Sequence, residues 1–206
     1  MPAKSILFSQ KQPLPLELCL DTSFVIEVFF GIENPSGPIP PKKQASIDFF
    51  ENRILKETQK RYISTTVHGE MLEKIIEDVV CTCFTDYTKI KYGARSVWKE
   101  YYKIHKARIP NLDKKLENAI NKFHQWQGDH GISSLPFKYD YTKSIITPVA
   151  ATNMFYMEVA EYCIHYKILP YDARIIIEGR HRGVDNFVSL DGDFKNVDGI
   201  TVYSLY

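Results

Sequence analysis

The sequence predicts an α/β fold, a central parallel sheet flanked by helices (α/β/α) and carrying a helical insertion. Two observations predict the sheet. Short apolar runs, ELCL at 17–20, RYIS at 61–64 and NFVSL at 186–190, have the length of strands. Helical patterns separate the first two and follow the second, the order that crossover helices produce. A third observation predicts the insertion: two long helical patterns follow one another in mid-chain with no strand between them.

In order, residues 1–15 read as an irregular arm. A strand over 17–20 ends at Asp21, and Asp21-Thr22-Ser23 opens a helix over about 24–31. Asn34-Pro35, Gly37-Pro38 and Pro40-Pro41 make a loop of residues 32–41. Ile47, Phe50, Ile54 and Leu55 place a packed helix over about 42–60. After the strand at 61–64, Thr65 and Thr66 are caps for a helix to about residue 80.

Ala94, Val97, Tyr101 and Ile104 define the first helix of the insertion, about 84–146, and Leu112, Leu116, Ile120 and Phe123 the second. Ile109-Pro110-Asn111 is the turn between them, with Asn111 a candidate N-cap. Residues 128–146 lack a clear period and read as a long loop. Thr147-Pro148 starts a helix to about 167 that is apolar on most sides, and so is expected to be buried. The chain closes with a helix over 172–182, Gly183 as its stop, a strand over 186–190, an Asp191-Gly-Asp193 turn and a last strand near 200–204.

At 206 residues this is one domain with an elaborated insertion, and a 13% aromatic content is ample for a core. No apolar run reaches the ~18 residues that would span a bilayer, and Ser5–Phe8 is too short for a signal peptide. Cys19, Cys81, Cys83 and Cys163 lie inside strand- or helix-like segments, so reduced thiols in a cytoplasmic protein are expected. Cys81-Thr-Cys83 has no second Cys/His pair at zinc-ligand spacing. The net charge of +1 hides a segregation. Residues 87–124 hold ten Lys/Arg against three acids, a net of +7, whereas 151–206 hold five against eight, a net of −3. An enzyme of polyanions wants such a division, although solvated helix faces also produce it.

Acids stand where elements begin or end: Asp21, Glu70, Asp172, Asp191 and Asp193. Asp21 and Asp172 are also good helix starters. Glu70 has no capping-box part to play, because position 67 is valine. A calcium loop is excluded at 191–196, since Lys195 and Asn196 stand at its fifth and sixth positions. Carboxylates gathered at one place call for a hard cation such as Mg²⁺. The expectation is that these acids, 172 positions apart at the extremes, meet at one edge of the sheet.

Cys19-Leu-Asp-Thr-Ser-Phe-Val-Ile, Thr65-Thr-Val-His-Gly-Glu70, Pro170-Tyr-Asp172-Ala and Phe187-Val-Ser-Leu-Asp191-Gly-Asp193-Phe194 together resemble the PIN-domain nucleases, the family that includes the VapC toxins. The first and last pieces are the more specific, and the likeness covers about 17–80 and 147–206, leaving the middle unexplained. It implies an endoribonuclease dependent on Mg²⁺ or Mn²⁺. Asp21, Glu70, Asp172 and Asp191 would be its catalytic acids, with Asp21, Asp172 and Asp191 as direct ligands, Glu70 acting through water and Asp193 assisting. Thr22, Ser23 and Ser189 would be supporting hydroxyls, Ser23 and Ser189 bonding to a ligand carboxylate or a phosphate and Ser189 standing for a frequent threonine.

Single-stranded or looped RNA is the substrate the resemblance implies, with a partner protein of the antitoxin kind and a homodimer as further expectations. Lys89, Lys91, Arg95, Lys99 and Lys103, interleaved with Tyr87, Tyr92, Trp98, Tyr101 and Tyr102, suit phosphate contact and base stacking, and Arg180 and Arg182 form a second basic spot. Core packing is the competing reading for about half of those aromatics. Two other functions stay open: a catalytically silent RNA-binding or assembly module, and a structure-specific DNA nuclease. No membrane association is expected.

Overall fold

The computed structural model describes residues 3–33, 38–83, 98–100, 102–103, 106–135 and 148–206, and of 148–154 the backbone alone. Its strands are β1 (Lys4–Leu7), β2 (Glu17–Leu20), β3 (Lys60–Ile63), β4 (Ile132–Ser134), β5 (Asn186–Val188) and β6 (Thr201–Ser204). Its helices are α1 (Thr22–Glu33), α2 (Pro41–Phe49), α3 (Leu55–Glu57), α4 (Thr65–Thr82), α5 (Leu112–Asp129), α6 (Pro148–Tyr166) and α7 (Pro170–Arg180). The chain divides into two compact units, Met1–His68 with His130–Tyr206, and Gly69–Asp129.

The first unit is built on a sheet of order β1-β6-β5-β2-β3-β4 in which every pairing is parallel. Parallel strands need long crossovers, and the helices between them supply these and flank the sheet. The central strands are short and buried: Leu18, Cys19, Leu20, Phe187, Val188 and Val202 are 0% exposed. From β2 the chain steps outward to β3 and β4, then returns past β2 to β5 and β6. The strand order therefore reverses between β2 and β5, and α/β sheets bind ligands beyond the strand ends at such a point.

Local sequence explains how the helices seat. Phe24, Val25, Val28 and Phe29 bury one side of α1. Phe8 stacks on Phe49, which meets Phe24 edge-on, closing the core under the N-terminal segment. The helix expected over 42–60 ends at Glu57, and a π-helical stretch, Phe50–Ile54, interrupts it. That widened turn admits Phe49, Phe50 and Ile54 to the core together. Ser64 caps α4 in place of the expected Thr65 and Thr66, its hydroxyl accepting from the Val67 amide at 3.1 Å. Gly179 gives α7 its close approach to β5, since a Cβ there would stand 2.7 Å from the Phe187 ring. Gly183, at φ +76, ends the turn that follows α7.

Three further expectations change. The arm of residues 1–15 contains β1, which pairs with β6 in register Lys4↔Thr201 to Leu7↔Ser204. Four residues, of which Ile6 alone is buried, are too few to show a period. The loop expected over 128–146 is partly structured, because α5 runs to Asp129 and β4 adds an edge strand from Ile132-Ser133-Ser134. The helix expected to be buried, α6, packs Phe155 and Val159 inward but exposes Tyr156, Met157 and Ile164, the last 80% exposed. It packs against α7, where Tyr162 meets Arg180 and Phe155 meets Arg174, so one stripe suffices for packing.

The second unit holds most of α4, with α5 and the residues between. Cys81 and Trp98 form a small buried cluster with Ile76 and Tyr102 against it. On α5, Phe123 and Trp126 are buried and stacked, ring centroids 6.1 Å apart. Asn111, expected to cap α5, adopts left-handed backbone at φ 54, a conformation asparagine tolerates. Among the described residues, no helix is long and apolar enough to cross a membrane.

Candidate active site at the sheet edge

Asp21 follows β2 directly and continues its pairing, its amide donating to the Val188 carbonyl at 2.9 Å. It is 2% exposed. Three donors converge on one carboxylate oxygen, Oδ2: the Ser23 hydroxyl at 2.5 Å, the Ser189 hydroxyl at 2.8 Å and the Ser23 amide at 3.3 Å. Each hydroxyl is itself held by a backbone amide. Leu190 donates to Ser23 Oγ, and Asp191 donates to Ser189 Oγ, both at 3.0 Å. The Asp191 carboxylate then accepts from the Asp193 amide at 3.0 Å, capping the 3₁₀ turn Gly192–Asn196.

The end of β2 and the end of β5 are thus knitted together through two serines. The first and last pieces of the motif set meet here, and Asp21, Ser23, Ser189, Asp191 and Asp193 lie along one short edge. Thr22, opening α1, is buried beside them.

Burial pushes the Asp21 carboxyl above its ordinary value, and the serine hydroxyls and the Thr22 and Ser23 amides pull it partly back. Two residues earlier, the Cys19 thiol is driven far up by burial, then by the charges of Asp21 and Glu178. A thiol so held is inert. Among the described residues the four cysteines are free; Cys19 and Cys81 are buried, Cys83 and Cys163 half-buried.

Asp172 occupies the first turn of α7 and is half-buried. A short turn joins α7 to β5, so the helix runs back against the strand direction and its first turn lies toward the edge where β5 ends. Its charge, after burial itself, raises the Cys163 thiol on α6. Glu70 lies in the second turn of α4, in the other unit, and is half-buried. Among the described residues, no group of three or more His, Cys, Asp or Glu is gathered so as to hold a metal ion.

The basic residues divide. Lys89, Lys91, Arg95, Tyr87, Tyr92 and Tyr101 lie outside the described residues. Lys99 pairs with Glu73 at 2.6 Å and lies 5.7 Å over the Trp98 ring, while Trp98 itself is buried against Cys81, as core packing requires. Lys103 and Arg182 are exposed. Arg180 is engaged inside the first unit, donating to the Tyr162 hydroxyl at 2.8 Å and pairing with Asp185 at 3.3 Å.

Glu178 went unremarked in the sequence. Only 5% exposed, it accepts from Thr65 Oγ1 at 2.8 Å, Thr66 Oγ1 at 2.7 Å and the Thr66 amide at 3.4 Å. A lone acid directly after Ile175-Ile176-Ile177 and before Gly179 was the available signal.

Fold and site define an α/β protein with a parallel sheet flanked by helices and a serine-braced acidic edge at its topological switch point. Comparison with protein-family models and with curated proteins yields no match to the chain.

Proposed function

We propose that the chain is a metal-dependent endoribonuclease of the PIN-domain kind, hydrolysing RNA phosphodiester bonds at the edge between β2 and β5. The observation that carries this reading is the buried Asp21 carboxylate, braced by Ser23 and Ser189 at the point where the strand order reverses. A stabilising role alone is a poor account of it. The site holds a carboxylate where burial disfavours its charge, which is how binding and catalytic groups are commonly held.

The donor set at this edge is oxygen throughout, which suits Mg²⁺ or Mn²⁺. Asp21, Asp172 and Asp191, which do not stand gathered as a ligand set here, would have to draw together to hold such an ion, with Asp193 assisting, and when bound it offsets the negative charge of the phosphodiester. The serines keep Oδ2 of Asp21 fixed, so the carboxylate presents one orientation. The Leu190 and Asp191 amides hold the serine hydroxyls in turn, leaving little to reorganise when substrate arrives. Single-stranded or looped RNA, whose bases are free to splay, fits the resemblance best, and an antitoxin-like partner belongs to the same reading.

The test is a cleavage assay on single-stranded RNA and on flapped DNA with Mn²⁺, using wild type and Asp172→Asn. RNA cleavage that EDTA and the substitution both abolish supports the reading. Full activity in a folded Asp172→Asn protein overturns it. RNA binding without cleavage would leave the silent RNA-binding module, and preference for flapped DNA the structure-specific nuclease.

A further inference from the structure

Glu178 is a buried charge that the proposed chemistry does not use. Removing a carboxylate from water is costly, and an apolar side chain of similar volume often stabilises as well or better. Beside Ile175, Ile176 and Ile177, an apolar residue would have packed readily. What the carboxylate adds is direction. Its two oxygens take three donors from consecutive residues, Thr65 and Thr66, at the first turn of α4 where β3 has just ended. The next residue, Gly179, rests its backbone against the Phe187 ring of β5. These adjacent contacts fix α7 along its axis and in its depth on the sheet.

Asp172 lies six residues earlier on the same helix, about 9 Å along the axis at 1.5 Å per residue. With Ile176 and Gly179 it shares the i, i+4, i+7 stripe, and at the far end of that stripe Gly179 meets β5. An α-helix is stiff over two turns, so an axial shift at Glu178 reaches Asp172 undiminished. We infer that Glu178 is a positioning residue, setting through Thr65 and Thr66 where Asp172 stands at the sheet edge. The inference rests on the cation-assisted reading of that edge and adds a residue to it.

The test is calorimetric titration of the full chain with Mn²⁺ alone, each variant well below its own Tm. Glu178→Gln keeps the volume and loses one acceptor; Thr66→Val keeps the shape and loses one donor; Thr66→Ser keeps the hydroxyl. Weakening of about tenfold or more is expected in the first two, as for other groups that orient a ligand, with Thr66→Ser near wild type. In an Asp172→Asn background, Glu178→Gln should weaken binding no further.

Wild-type affinity in Glu178→Gln and Thr66→Val with a lowered Tm would overturn the inference and leave a purely structural bond. Additive losses in the Asp172→Asn background would overturn the route through Asp172. Should Glu178→Gln fail to fold, the comparison of Thr66→Val with Thr66→Ser decides alone. Wild type that binds no Mn²⁺ overturns the cation reading and the inference with it, an outcome distinct from the others.

Discussion

Ser189 donates its hydroxyl proton to Oδ2 of Asp21 at 2.8 Å across 168 positions of sequence. Ser23, two positions away, reaches the same oxygen at 2.5 Å. Both hydroxyls accept an amide from the segment that follows β5, so neither donor is free to swing to another partner. The geometry at this edge is therefore a property of two strands held side by side.

Asp21→Asn should separate stability from activity. Because burial raises the Asp21 carboxyl, its contribution to stability is full below the ordinary carboxylate value of 3.8 and is lost as pH rises through the folded value. The asparagine has no such loss. Denaturation from pH 4 to 7 should show the variant gaining on wild type as pH rises, while RNA cleavage disappears. A stability difference flat across that range would count against the burial argument.

Ser189→Ala should cost about 1–3 kcal/mol, because the Asp191 amide loses its acceptor and Asp21 a donor in a fully buried place. Urea unfolding with an unchanged m-value is the measurement. Ser23→Ala should cost a comparable amount, since it strips the Leu190 amide in the same way.

Gly179→Ala should destabilise by about 1–3 kcal/mol, since the new methyl would meet the buried Phe187 ring at 2.7 Å. Thermal unfolding reads the loss. Gly192→Ala is the control, because nothing lies within 4 Å of a Cβ there, and it should leave Tm nearly unchanged.

Cys19 should be the last thiol to alkylate. It is fully buried, and the charges of Asp21 and Glu178 add to burial in keeping it protonated. Iodoacetamide labelling of the native protein at pH 8, read by peptide mass spectrometry, should modify half-buried Cys83 and Cys163 first. Early labelling of Cys19 would contradict the packing around β2.

The amino-acid order by itself determined the strands that matter and the residues at their ends. ELCLD and NFVSLD are short apolar runs stopped by an acid, and such runs need only local information to be read. The parallel arrangement followed from the helices between them. The family resemblance marked Ser23 and Ser189 as hydroxyls for a ligand carboxylate or a phosphate, and both bond to the Asp21 carboxylate. Edge strands β1 and β4 escaped because three or four residues with one buried side chain carry no period. Trp98, beside Lys99, reads locally as a stacking platform and lies instead in a small core with Cys81.

Only the tertiary structure decided that Ser23 and Ser189 share one oxygen of Asp21, and that Glu178 ties α7 to the start of α4. Apart from the Ser23 bond, which spans two positions, those bonds join residues 112 to 168 positions apart. Their partners are chosen by which strands pair and which helix lies over them, a property of the packed sheet that no window of the chain contains.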